Sequence, residues 1–231
     1  MPIPAGVKGT TVSTAETSAT KSALAIPIWP AAGFTTKRPR AAATAASRTD
    51  SPIQIATVVN FPSGDGEIAA TIKETVDALN AGADEIDLVL PYAALQCGDE
   101  STVIAMLSAI RNVVPAPSLL KVILETGELV DPILIERAAH LAIAAGADFI
   151  KTSTGKTRTS ATPDAVTIML AAIRASGRAV GLKPSGGIRT IDDALEYLQL
   201  ADAVMGQNWA TPQTFRFGAS GLLDAVESEL A

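Results

Sequence analysis

A chain of 231 residues, 48% hydrophobic and 18% charged, has material for one large core, and fits one (β/α)8 domain or two small ones. Its net charge of −6 argues against a nucleic-acid binder, which needs a basic footprint, and no apolar stretch approaches the roughly 20 residues of a membrane helix. A single cysteine, Cys97, leaves no internal disulfide and no zinc spacing, so a reducing, cytoplasmic setting is expected. The one histidine, His140, lies in the helical run LIERAAHLAIAAG and reads as a helix-face residue rather than a metal ligand or triad member.

The charge is uneven along the chain. Residues 1–50 carry six Lys/Arg and two acids, a balance of +4, whereas 51–231 carry twelve and twenty-two, a balance of −10. From the front, ALAIPIWP (23–30) reads as a strand, although Pro27 within it cannot donate to a ladder. Short apolar runs follow: IQIATVVN (53–60), EIDLVLP (85–91), LLKVILET (119–126), DFIKTST (148–154), AVGLKPS (179–185) and DAVMG (202–206). Their starts recur at about thirty residues, the length of one strand–helix unit. Helical patterns fill the gaps at 66–82, 100–113, 131–146, 162–177 and 190–201. Several begin on a cap such as Asp131-Pro132 or Thr162-Pro163, and several end on glycine, at Gly82, Gly146 and Gly177.

Strands alternating with single helices imply a parallel sheet with helices outside. An open doubly wound sheet usually buries purely apolar strands. Here Asp87, Lys121, Lys151 and Lys183 stand inside the strand patterns, and a barrel interior opening onto a pocket suits them better. The fold expected is therefore α/β, a TIM (β/α)8 barrel. Seven strands are legible where closure needs eight, so the first βα unit is atypical or incomplete. Residues 1–22 form an atypical N-terminal segment and 23–231 a single barrel domain.

Burying a charge without a partner costs several kcal/mol. A salt-bridge network of Asp87 with the three lysines is one reading of the pattern. The other is amine chemistry. Neighbouring strands lie about 4.8 Å apart, so Lys151 and Lys183 in consecutive strands approach each other, and two close cations favour one neutral amine. A neutral lysine is what attack on a carbonyl requires. Glycine-rich turns end the same strands at Thr154-Gly155-Lys156 and Gly186-Gly187, and a third candidate, Phe217 to Gly221, follows the last expected strand. Such loops, with free backbone N–H groups and a helix start, form the common phosphate site of these barrels.

The stretches TVVNFPSG (57–64), GADEIDLVLPY (82–92), LKVILETGEL (120–129), GADFIKTSTGK (146–156), VGLKPSGGIRT (180–190) and FRFGAS (215–220) resemble the deoxyribose-phosphate aldolase family in order and spacing. The resemblance implies that Lys151 is the Schiff-base lysine, Lys183 the lysine that lowers its pKa, Asp87 the proton-relay carboxylate and Lys121 the partner of that aspartate. It places Thr154, Gly155, Lys156, Gly186, Gly187 and Ser220 on the substrate phosphate, with Gly221 adding a backbone donor where the family usually has a second serine. It implies a phosphorylated sugar substrate, no metal and no organic cofactor. Another Schiff-base aldolase or transaldolase, or a barrel inactivated by its altered front, are the alternatives.

The front departs from the family. Its usual first strand and helix are not legible in residues 1–22, and AIPIWP (25–30) carries Pro27 where the family has cysteine. A folded but degenerate barrel front, a poorly ordered segment from an altered reading frame or rearrangement, and a transit peptide all fit this composition. A barrel short of a strand exposes edges, which a second copy of the chain, as a homodimer, would close.

Overall fold

The computed structural model describes residues 28–29, 54–218 and 221–230. The expectations for 1–22 and for the linker 31–50 therefore lie outside the described residues. Seven strands are present among those described. In chain order they are β1 (Ile28–Trp29), β2 (Ala56–Val59), β3 (Glu85–Val89), β4 (Leu119–Ile123), β5 (Phe149–Lys151), β6 (Gly181–Lys183) and β7 (Phe217–Gly218). Between them run α1 (Ile68–Asn80), α2 (Tyr92–Gln96), α3 (Glu100–Val113), α4 (Thr126–Leu129), α5 (Pro132–Ala144), α6 (Pro163–Ser176) and α7 (Ile191–Met205), and α8 (Gly221–Leu230) closes the chain.

β2 to β6 form one parallel sheet in chain order, and β1 pairs in parallel with β7. Bridges from Leu182 to Phe215 and from Ser185 to Gly218 tie the β6 end to the β7 segment. The earliest described strand thus lies against the last. That return of the front of the chain to its last strand is the mark of a barrel, and the fold is a TIM-type α/β barrel. Among the described residues β2 stands at the end of the sheet order, with β3 as its strand neighbour.

Period-two alternation sorts the strand residues into two layers. Ile86, Leu88, Leu120, Val122, Ile150 and Leu182 join the apolar layer beneath the helices. The alternate residues, Glu85, Asp87, Lys121, Phe149, Lys151 and Lys183, face the barrel interior and are buried there. Gly181 completes this inner layer for a steric reason: a Cβ at that position would lie 2.2 Å from the Phe149 ring. Helix starts follow their sequence signals. Asp131 caps α5 through the Ile133 N–H ahead of Pro132, and Thr162 caps α6 through the Ala165 N–H ahead of Pro163. Thr190 and Asp193 form a reciprocal capping box on α7.

One expected strand is wrong. DAVMG (202–206) is the last turn of α7 and its cap, because Leu198, Ala201, Val204 and Met205 continue the helical apolar face begun by Ala194 and Tyr197. The seventh strand is instead Phe217–Gly218, inside the motif expected to be a loop. His140 lies on α5 with its side chain 40% exposed, near Glu136, as expected of a helix face. Among the described residues no helix is long and apolar enough to cross a membrane.

Candidate active site

Strand register sets the site. Asp87 on β3 stands opposite Lys121 on β4, and Lys151 on β5 stands opposite Lys183 on β6. Lys151 also pairs with Ile123, two residues beyond Lys121, so the second pair of charges sits one inward-facing layer nearer the C-terminal mouth. Asp87 reaches both layers. Its Oδ1 accepts a hydrogen bond from Lys121 Nζ, and its Oδ2 lies 3.1 Å from Lys151 Nζ and 3.4 Å from Lys183 Nζ. The two upper amines therefore share one carboxylate oxygen.

Beneath them the charges continue. Glu85 Oε2 lies 2.7 Å from Lys121 Nζ, and Glu85 Oε1 accepts from Arg216 at 2.7 Å. The Arg216 guanidinium also covers the Phe149 ring, 4.6 Å from its centroid. Sequence reasoning missed Glu85 and Arg216. The signal for Glu85 was available, since it stands two residues before Asp87 and so on the same strand face. The expected network of Asp87 with three lysines is present, but four basic side chains here face two carboxylates. The excess is positive, which a structural ion cluster has no need of and an anionic substrate would balance.

Proton affinities follow from this crowding. Burial pushes the Lys183 ammonium down to about 7, with Lys151 and Lys121 adding to the fall against the pull of Asp87. Burial works to raise Asp87, yet Lys121, Lys183 and Lys151 together hold it well below the usual carboxylate range. Glu85 is likewise lowered against burial by Lys121 and Arg216. An aspartate that rests ionised and an amine that exchanges its proton near neutrality thus sit side by side. Lys121 is fully buried, whereas Lys151 and Lys183 keep 8% and 5% of their surface exposed.

The glycine-rich turns converge above these amines. Gly155, Gly186 and Gly187 have φ of 75°, 82° and 83°, a conformation that disfavours any residue with a side chain. A Cβ on Gly186 would stand 2.4 Å from Ser160 Oγ and 3.6 Å from the Gly155 Cα, so the two turns touch. Gly155 and Lys156 are exposed, and the Lys156 N–H donates to Thr154 Oγ1 at 3.1 Å. Gly218 lies so close to Ser185 that a Cβ would meet its Oγ at 1.9 Å, and this draws β7 against the Gly186 turn. Gly221 is the first residue of α8, while Ser220 lies outside the described residues.

Residues 10–225 match the model of the DeoC/LacD family aldolases. The chain belongs to that family. It is 58% identical over 207 residues to the deoxyribose-phosphate aldolase of Agrobacterium fabrum, covering 90% of this chain and 77% of the relative. A Coccidioides immitis protein described provisionally as a deoxyribose-phosphate aldolase superposes with a TM-score of 0.73 at 27% identity, over 83% of this chain and 70% of that one. The deoxyribose phosphate aldolase of Aeropyrum pernix, described as tetrameric, superposes with a TM-score of 0.62 at 25% identity, over 78% and 69%.

Proposed function

We propose that this chain is a lyase that reversibly cleaves 2-deoxy-D-ribose 5-phosphate to acetaldehyde and D-glyceraldehyde 3-phosphate through a Schiff base on Lys151. The observation that carries the reading is the shared oxygen: Lys151 and Lys183 both face Asp87 Oδ2 inside an α/β barrel of the aldolase family. Two ammonium groups crowded on one carboxylate oxygen disfavour double protonation, and Lys151 attacks as the neutral amine. That amine adds to the C1 aldehyde, and loss of water gives a protonated imine. A base removes the C3 hydroxyl proton, the C2–C3 electron pair moves to C2 with the iminium nitrogen as sink, and D-glyceraldehyde 3-phosphate departs. Protonation of the resulting enamine at C2 and hydrolysis release acetaldehyde and restore Lys151. Asp87, fixed by Lys121 through Oδ1, relays these protons through a water.

Thr154, Gly155, Lys156, Gly186, Gly187, Ser220 and Gly221 form the proposed phosphate end, supported by the contact of the two glycine turns and by the start of α8 beside β7. The proposed setting is cytoplasmic, in deoxyribonucleotide breakdown. Residues 1–22 are read as an atypical segment ahead of a single barrel at 23–231. A second copy of the chain, as a homodimer, would cover the β2 end of the sheet. The test is a substrate panel. Acetaldehyde released from 2-deoxy-D-ribose 5-phosphate supports the reading, and cleavage only of substrates yielding dihydroxyacetone units would move the chain to another Schiff-base aldolase.

A further inference from the structure

Two residues past β4, Glu125 adopts φ 55° and ψ 58°, a left-handed conformation that a residue with a side chain rarely takes. Its side chain is fully buried. No Lys or Arg among the described residues pairs with it. The carboxylate instead collects donors from the turn after β5. Oε2 accepts the Thr154 N–H at 3.1 Å and the Thr154 hydroxyl, and Oε1 lies 3.3 Å from the Thr157 hydroxyl, whose one proton is shared with the Thr159 carbonyl at 3.0 Å. A carboxylate only accepts, so the single hydroxyl proton of Thr154 is committed to Glu125. The Thr154 oxygen is then turned to accept from the Lys156 N–H.

The backbone around Glu125 is fastened to the same turn. The Thr126 N–H donates to the Thr152 carbonyl at 2.9 Å, and the Glu125 carbonyl starts α4 by accepting from Glu128 and Leu129. Gly127 leaves no slack, since a Cβ there would lie 2.1 Å from the Thr159 carbonyl oxygen. The backbone thus seats the β4 end on the 154–159 turn, and a left-handed residue aims one acceptor-only side chain into that turn. Strain of this kind persists where the surroundings over-determine it.

We propose that Glu125 is a positioning residue for the substrate's phosphate: it fixes the Thr154–Thr157 turn in the shape that presents Gly155 and Lys156. This rests on the reading of that turn as part of the phosphate end. Thr154 then serves the turn rather than the ligand, and direct contact falls to Gly155, Lys156 and the Gly186-Gly187 pair.

The test compares Glu125→Gln, Thr157→Val and Lys156→Ala on 2-deoxy-D-ribose 5-phosphate and on unphosphorylated 2-deoxy-D-ribose. Glutamine keeps the shape but loses the charge and replaces one of the two acceptor oxygens with an NH2 donor. Glu125→Gln is expected to raise KM for the phosphorylated substrate about tenfold, with kcat nearly unchanged. The unphosphorylated substrate should react as before, so the preference for phosphate falls. Thr157→Val should move the same ratio in the same direction by less, and it decides the matter if Glu125→Gln does not fold. A purely structural role would lower kcat on both substrates alike, and that result overturns the proposal. An unchanged ratio for the Glu125 and Thr157 variants, beside a reduced one for Lys156→Ala, also overturns it. If Lys156→Ala leaves the ratio unchanged as well, the phosphate reading of the turn falls together with the proposal.

Discussion

The floor of the barrel and its rim are built on opposite principles. On the floor, Glu85, Asp87, Lys121, Lys151 and Lys183 are buried side chains on strands β3 to β6, each held by at least one opposite charge. At the rim, Gly155, Gly186 and Gly187 contribute no side chain, and backbone conformation does the positioning. The floor can therefore move protons and form bonds. The rim can grip an anion whose charge the floor does not fully balance. Reactivity should fail when a floor residue changes, and affinity should fail when a rim residue changes.

The largest effect is expected on the floor. Lys151→Arg keeps the charge, yet a guanidinium stays protonated and cannot form an imine. Turnover of 2-deoxy-D-ribose 5-phosphate should vanish while far-UV circular dichroism stays native. Measurable turnover would mean that another amine carries the reaction.

Asp87→Asn comes next, because it removes the acceptor shared by three amines. The expected fall in kcat is about a hundredfold to ten-thousandfold, the range of a lost acid–base group. A change confined to KM would place Asp87 among the binding residues instead.

Lys183→Leu should split activity from stability. The rate of the parent enzyme should rise through about pH 7 as Lys183 gives up its proton, and the variant should lose that limb. Its folded-state pKa lies below the ordinary 10.5, so burying this amine costs stability fully below about pH 7 and less as pH rises toward 10.5. Asp87 keeps Lys121 and Lys151 as partners, so the variant should unfold at a higher temperature at neutral pH. A lower melting temperature would show that Lys183 supports the floor more than it strains it.

The smallest effect belongs to the rim. Lys156 is exposed, so Lys156→Ala should raise KM for the phosphorylated sugar by about tenfold or less, with the effect shrinking as salt is added. An effect on kcat alone would break the division between floor and rim.

Most of the floor was legible because a charged residue inside a buried parallel strand contradicts its surroundings. Asp87, Lys121, Lys151 and Lys183 each stood out in an apolar run, and the structure brings all four together. Glu85 was read as the first residue of its strand and given no role, although its spacing from Asp87 put it on the same face. Arg216 lay hidden because the strand it precedes, Phe217–Gly218, is two residues long and the last strand was assigned to DAVMG instead. That misreading has a physical source. A short apolar run carries no period of its own, and there the helical face of α7 decided. Glu125 was invisible for a different reason. Its role depends on a left-handed backbone at the end of β4 and on a turn beginning 29 residues later, and neither is a property of the local sequence.

The central claim is that Lys151, one of the two amines of the upper layer, forms the covalent bond while Lys183 only exchanges protons. Borohydride reduction in the presence of acetaldehyde, followed by peptide mass spectrometry, measures this directly. The account predicts one ethyl adduct, on the peptide containing Lys151, absent from Lys151→Arg and retained at a reduced rate in Lys183→Leu. An adduct on Lys183, or labelling that persists in Lys151→Arg, would contradict it.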